Sequence, residues 1–131
     1  MVIELDEYGL KRDVALAELM SSQAKLPILA ANEETQIKNI EVIKAQLRSV
    51  KAMLNQQQRE FDRYKNLLAD ESTTQQKFDN ISASLSIAQS ENDQAEASLL
   101  VAESKLNDFR AQHNAIEAEI KSRKHYLKDR N

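Results

Sequence analysis

Cysteine and tryptophan are absent from this 131-residue chain, and glycine and proline occur once each. The missing cysteine excludes disulfides and thiol chemistry. A compact stack of short elements needs tight turns, which draw on Gly and Pro, so their scarcity excludes that architecture. After Pro27 neither residue occurs again. Aromatics are 5% of the chain and charged residues 30%, which leaves no globular core of ordinary size. No apolar run approaches the ~20 residues of a membrane-spanning helix, and no signal-peptide pattern is visible. A net charge of −3 gives no electrostatic footprint for nucleic acid. One glycine cannot make a phosphate-cradling loop. His113 and His125 are the only histidines, twelve residues apart, and the carboxylates are dispersed over helical faces. No catalytic constellation, metal-ligand set or cofactor site follows, and an enzyme is not expected.

What is present is a heptad repeat. Apolar residues recur at steps of three and four through Ile40, Ile43, Leu47, Val50, Leu54, Gln57, Phe61, Tyr64 and Leu68. The rhythm resumes at Phe78, Ile81, Leu85, Ala88, Asn92, Ala95, Leu99, Ala102, Leu106, Phe109, His113, Ile116 and Ile120. A 3.5-residue period sustained over several heptads reads as coiled coil. Folding the chain back at residue 71 sets core positions opposite each other where their numbers sum to 142. Leu47 then faces Ala95, Ile43 faces Leu99 and Leu54 faces Ala88. The expected fold is all-α: one long antiparallel two-stranded coiled-coil hairpin, with arms of about 7–68 and 74–129 and a tip at 69–73.

The first arm is expected to be interrupted. Residues 1–5 alternate apolar and polar as a strand does, and Asp6 is placed to cap the helix that follows. That helix runs from about Glu7 to Lys25, with Tyr8, Ala15, Leu19, Ser22 and Leu26 in the heptad phase. Pro27 lacks the N–H that a helix interior uses, so the arm should kink or break there, with Asn32 as a new cap. The phase survives Pro27, since Leu26 and Leu29 still oppose Ile116 and His113. Gln57 and Asn92 interrupt the seam, either as polar residues that fix register or as residues tolerated near solvent. His113 reads as a packed structural histidine. The run Lys121, Arg123, Lys124, Lys128 and Arg130 reads as a solvated helix end, where cations complement the dipole.

At the tip, Thr73 or Thr74 is expected to cap the return helix, with Gln76 able to complete a capping box from Thr73. Leu68 fills the seam, yet Leu67 beside it is also apolar. Arg63 lies one turn earlier on the same flank. An exposed Arg–Leu pair next to a hairpin tip suggests docking.

The stretch FDRYKNLLADESTTQQKFD at 61–79 resembles the hairpin tip of the HlyD-like membrane fusion proteins, or periplasmic adaptor proteins. Their tip pattern is Arg, three residues, Leu, six residues, Ser. It maps onto Arg63, Leu67 and Thr74, with threonine keeping the hydroxyl. VIELDEYGLKRDVALAEL at 2–19 is similar to the point where that family's half lipoyl domain enters the descending helix, so residues 1–6 would be a strand remnant of that domain and 7–131 the hairpin. The resemblance implies a non-enzymatic adaptor in the periplasm, belonging to a full-length protein anchored to the inner membrane. It implies a TolC-type outer-membrane channel as partner of the tip, an inner-membrane transporter bound through domains absent here, and self-association, commonly as a hexamer. Arms near 60 residues suit a transporter of ABC or major-facilitator type better than a proton-driven RND pump. The competing expectations are a generic structural coiled-coil segment and a prefoldin-like chaperone hairpin, the latter needing strands between its helices.

Overall fold

A computed structural model describes the backbone of residues 2–129 and the side chains of residues 7–129. Two helices account for nearly all of it: α1 (Val2–Ala69) and α2 (Gln75–Asp129). The chain divides into two compact units, one made of Met1–Ile37 with Ser104–Asn131, the other of Lys38–Glu103. They are called the terminal unit and the tip unit below.

In the tip unit the heptad positions are the covered ones. Ile40, Leu47, Leu85, Ala88, Asn92 and Ala102 are buried. Ile43, Val50, Leu54, Gln57, Phe61, Tyr64, Leu68, Phe78, Ile81, Ala95 and Leu99 are half-buried. No large side chain is completely enclosed. The core is therefore a seam one layer deep, and each buried Leu or Ile contributes toward the lower end of the roughly 1.5–3 kcal/mol of full burial. Phe61 and Phe78 meet across it with ring centroids 5.3 Å apart. Lys51 and Glu96 bridge the helices at 3.8 Å on its exposed edge.

The terminal unit keeps the same phase with different residues. Leu19, Ser22, Leu29, Gln36, Leu106 and Ile120 are buried. Ala15, Leu26, Glu33, Phe109, His113, Ile116, Arg123 and Leu127 are half-buried. Four cross-helix contacts, Glu18 with Arg123, Glu33 with His113, Lys51 with Glu96 and Phe61 with Phe78, join residues whose numbers sum to between 139 and 147. They bracket the expected 142.

Four local expectations need correcting. There is no break at Pro27: α1 runs through it, so Asn32 is no cap. Pro27 is exposed, so the carbonyl it leaves without a backbone donor faces water, while Leu26 and Leu29 on either side are held in the seam. Residues 2–5 are helical rather than extended, as suits a segment with no second strand to pair with among the described residues. The cap expected of Asp6 lies outside the described side chains, and the helix begins before it. Tyr8, expected in the seam, is 64% exposed.

Candidate functional site

Among the described residues the tip is the one place where the chain leaves the helix. α1 ends in a Schellman turn. The Glu71 N–H donates to the Leu68 carbonyl at 3.1 Å, and the Ser72 N–H donates to the Leu67 carbonyl at 2.7 Å. Glu71 takes the left-handed conformation that this turn requires, at φ 58°. Glycine is the usual occupant, since a Cβ crowds the carbonyl there. Thr74 starts the return helix. Its Oγ1 accepts the Lys77 N–H at 3.2 Å, and its carbonyl accepts the Phe78 N–H at 3.1 Å. Of the two threonines expected as cap, Thr74 is the cap, and the position that would complete a capping box is Lys77 rather than Gln76.

Charge at the tip works against helix stability. The last turn of α1 holds no base and is followed by Asp70 and Glu71, at the negative end of its dipole. The first turn of α2 holds no acid. Both choices forgo the few tenths of a kcal/mol that the opposite charges would supply.

Arg63 stands exposed nearly two turns before the end of α1. Its Nη2 donates to Glu60 Oε2 at 2.8 Å, and its guanidinium carbon lies 5.3 Å from the Tyr64 ring centre. Lys77 approaches the same ring at 5.6 Å. The fork is thus oriented with donors to spare, since an arginine carries five N–H groups. Leu67 sits on the same flank but is half-buried, not exposed as expected. The chain doubles back over it at Ser72, whose N–H closes on the Leu67 carbonyl. Thr74 is exposed, so its hydroxyl caps the helix at a solvent-facing position. Arg63 and Leu67 thus share one face of α1, and Thr74 stands across the turn.

Gln57 and Asn92 both occupy the tip unit's seam. Asn92 is 8% exposed and its Oδ1 has no hydrogen-bond partner. Such an atom costs roughly 1–3 kcal/mol. Gln57 is half-buried opposite Leu85.

The terminal unit carries two polar clusters, one of which, around Arg123, hydrophobic periodicity does not signal. Arg123, read from sequence as part of a solvated basic run, occupies a seam position. It donates to Glu18 across the helices and to Glu119 at 2.7 Å along its own helix. The hydrogen bond from Arg123 holds the Glu119 carboxyl below its ordinary value, and the two glutamates raise the guanidinium further. His113 lies between Glu33 Oε1 at 3.2 Å and Glu117 Oε1 at 3.0 Å, the packed structural role expected of it. Extending the three–four steps past Ile120 would have reached Arg123 and Leu127; their polarity and position near the end conceal them. A groove of about 670 Å³ opens here between Leu10, Val14, Tyr126 and the Arg123 cluster. Its cation is already neutralised by Glu18 and Glu119, which leaves no unpaired arginine charge to orient a ligand. Among the described residues no group of three or more His, Cys, Asp or Glu is placed to hold a metal ion.

A family model described as the RND MFP alpha-helical hairpin domain matches residues 39–109, more than half of the chain. No curated protein and no solved structure matches significantly.

Proposed function

Because the chain belongs to the α-helical hairpin family of RND membrane fusion proteins, we propose that it links an inner-membrane transporter to a TolC-type outer-membrane channel, in tripartite efflux or secretion. The family is one of periplasmic adaptors rather than enzymes. In this reading the tip meets the channel, the transporter is bound through other domains of the full-length protein, and the hairpins gather side by side, commonly as a hexamer. Residues 1–6 would belong to the junction with a lipoyl domain. The matched family carries the RND description, while the arms run well past both ends of the match. That extra length favours an ABC or major-facilitator transporter.

One observation carries the proposal. Arg63 and Leu67 stand together beside a turn closed by backbone hydrogen bonds, one of them accepted by the Leu67 carbonyl, so neither side chain is needed to close it and Arg63 is exposed for contact. Arg63 offers a forked donor to carboxylates or carbonyls, and Leu67 offers the apolar contact next to it. The connection at 70–74 contains no strand, which counts against the prefoldin-like alternative.

The test is an export or drug-resistance assay in the full-length protein, run beside thermal melts. Arg63→Asp should abolish export and leave expression, transporter binding and melting temperature intact, its cost being within roughly 0.5 kcal/mol as at exposed sites. Leu67→Ser should abolish export at a cost of about 1 kcal/mol, since Leu67 is half-covered. Thr74→Ala should cost about 1 kcal/mol through the lost cap. Full export by the Arg63 and Leu67 double variant would refute the docking role.

A further inference from the structure

Lys77 is the third residue of α2, and the Thr74 cap accepts its N–H at 3.2 Å. A glutamate or glutamine at this position would reach back to the N–H of the cap residue and complete a capping box. A glutamate would also suit the positive end of the helix dipole, which a lysine opposes. Lys77 does neither. It is exposed and has no ion-pair partner among the described residues. Its ammonium lies instead over the Tyr64 ring of the other helix, 5.6 Å from the ring centre. The Arg63 guanidinium carbon lies 5.3 Å from the same centre. A cation on a partly exposed ring gains little. The lysine therefore works against its own helix, with no matching gain inside the hairpin. Residues that break a local rule in this way are expected where function sets the choice.

The placement fits one continuous surface. With Phe61, Leu68 and Phe78 at heptad position a, Glu60, Leu67 and Lys77 all hold position g, on one edge of the seam. Lys51 and Glu96, which bridge the helices, hold position e on the opposite edge. The two cations on the Tyr64 ring differ in how their charge is met. Arg63 is paired with Glu60 at 2.8 Å, so its remaining donors suit neutral acceptors such as carbonyls. The charge of Lys77 is unmet. Covering an ammonium without a counter-charge is costly, so a surface that covers Lys77 must bring an anion. We infer that Lys77 determines partner specificity at the tip: the docking surface crosses the Tyr64 ring from α1 onto α2, and the partner presents a carboxylate side chain to Lys77. Tyr64, half-buried in the seam, holds the ammonium on the edge where Leu67 stands, which lowers the cost of ordering it on contact.

This inference rests on the docking role proposed above and adds the chemistry of the partner's side. Two measurements test it together: thermal melting of this chain, and binding of the full-length protein to a purified TolC-type channel at roughly 50 and 300 mM salt. Lys77→Gln should raise the melting temperature by about 1–3 °C through the completed capping box. The same change should weaken binding about tenfold at the lower salt and flatten its salt dependence. Lys77→Glu should also raise the melting temperature and weaken binding further, by at least about twentyfold. Lys77→Arg, which keeps the charge, should restore binding to within about twofold of the wild type. Stability and affinity thus move in opposite directions, whereas a lysine kept for the fold would lower both when replaced. Binding by Lys77→Gln within about twofold of the wild type overturns the inference, as does a loss with unchanged salt dependence or a lowered melting temperature in both variants. Arg63→Asp separates this inference from the reading beneath it. Binding lost in Arg63→Asp but full in Lys77→Gln keeps the docking tip and removes Lys77 from it; full binding in both removes the two together.

Discussion

The tip unit and the terminal unit share one heptad phase and are held together differently. The seam of the tip unit is apolar except for Gln57 and Asn92, with Leu47, Leu85 and Ile40 at its centre. The seam of the terminal unit places Ser22, Glu33, Gln36, His113 and Arg123 in the same kind of position, with Arg123 ion-paired across the helices to Glu18 and along its own helix to Glu119, and Glu33 beside His113. Apolar burial acts without directional demands, whereas partly exposed ion pairs are worth about 0–1 kcal/mol and weaken with salt. The family match at 39–109 lies almost wholly on the apolar unit. The difference teaches that a shared period fixes which residues face each other, while their chemistry decides how firmly.

Leu47→Ala should show the largest effect, a loss of about 2–3 kcal/mol in urea denaturation, since it opens a cavity in a one-layer seam. Arg123→Ala in the terminal unit should cost under about 1 kcal/mol. Equal losses would break the comparison. Hydrogen exchange should next separate the units without mutation. Amides at 28–33 should exchange at least about tenfold faster than those at 43–54, although α1 is continuous through both. Equal protection would show that Pro27 and the polar seam have no local consequence.

Asn92→Leu sharpens the comparison from within the tip unit. It removes a buried oxygen without a partner and should stabilise by about 1 kcal/mol. If Asn92 also fixes register, cysteines at positions 47 and 95 should crosslink less selectively against 47 and 98 in that variant. Unchanged selectivity would reduce Asn92 to a tolerated polar residue.

Acid should have the smallest effect, confined to the terminal unit. Glu119 is held below its ordinary 4.5 by Arg123. The stability it contributes is therefore complete above that value and is lost as pH falls through the lowered one. Protection of amides at 15–26 and 116–127, taken relative to their intrinsic exchange rates, should fall at about pH 3 relative to pH 7, more than at 43–54. An equal change in both units would assign the effect to charge spread over the whole chain.

Most of the fold was legible because seam burial is what a 3.5-residue period encodes. Every position from Ile40 to Leu68 and from Phe78 to Ile120 assigned to the seam is buried or half-buried. The expectations that failed rested on local preference. Pro27 argued for a break, but Leu26 and Leu29 are packed on both sides of it. Val2 to Leu5 argued for a strand, but a strand needs a neighbour. At the tip, the spacing of Arg63, Leu67 and Thr74 was readable, but the cover over Leu67 was not. That cover comes from a turn whose left-handed residue is Glu71, where a glycine would have announced it. Arg123 was missed because a polar residue in a seam emits no hydrophobic signal.

The closed turn at 70–74 also sets the order in which the chain can find its partner. The cross-helix contacts beside it, Tyr64 with Lys77 and Phe61 with Phe78, join residues 13 and 17 apart, while those of the terminal unit join residues up to 105 apart. Closing so long a loop in one step carries a large entropic cost, but a pair that forms next to an existing pair closes almost none. Folding should therefore proceed as a zipper that starts at Phe61 and Phe78 and reaches Glu18 and Arg123 last. On a ribosome, α1 must wait with its apolar stripe uncovered until the turn emerges. Transition-state analysis should find Phe61→Leu slowing folding and Leu19→Ala mainly speeding unfolding. The opposite assignment would show that the chain closes from its ends.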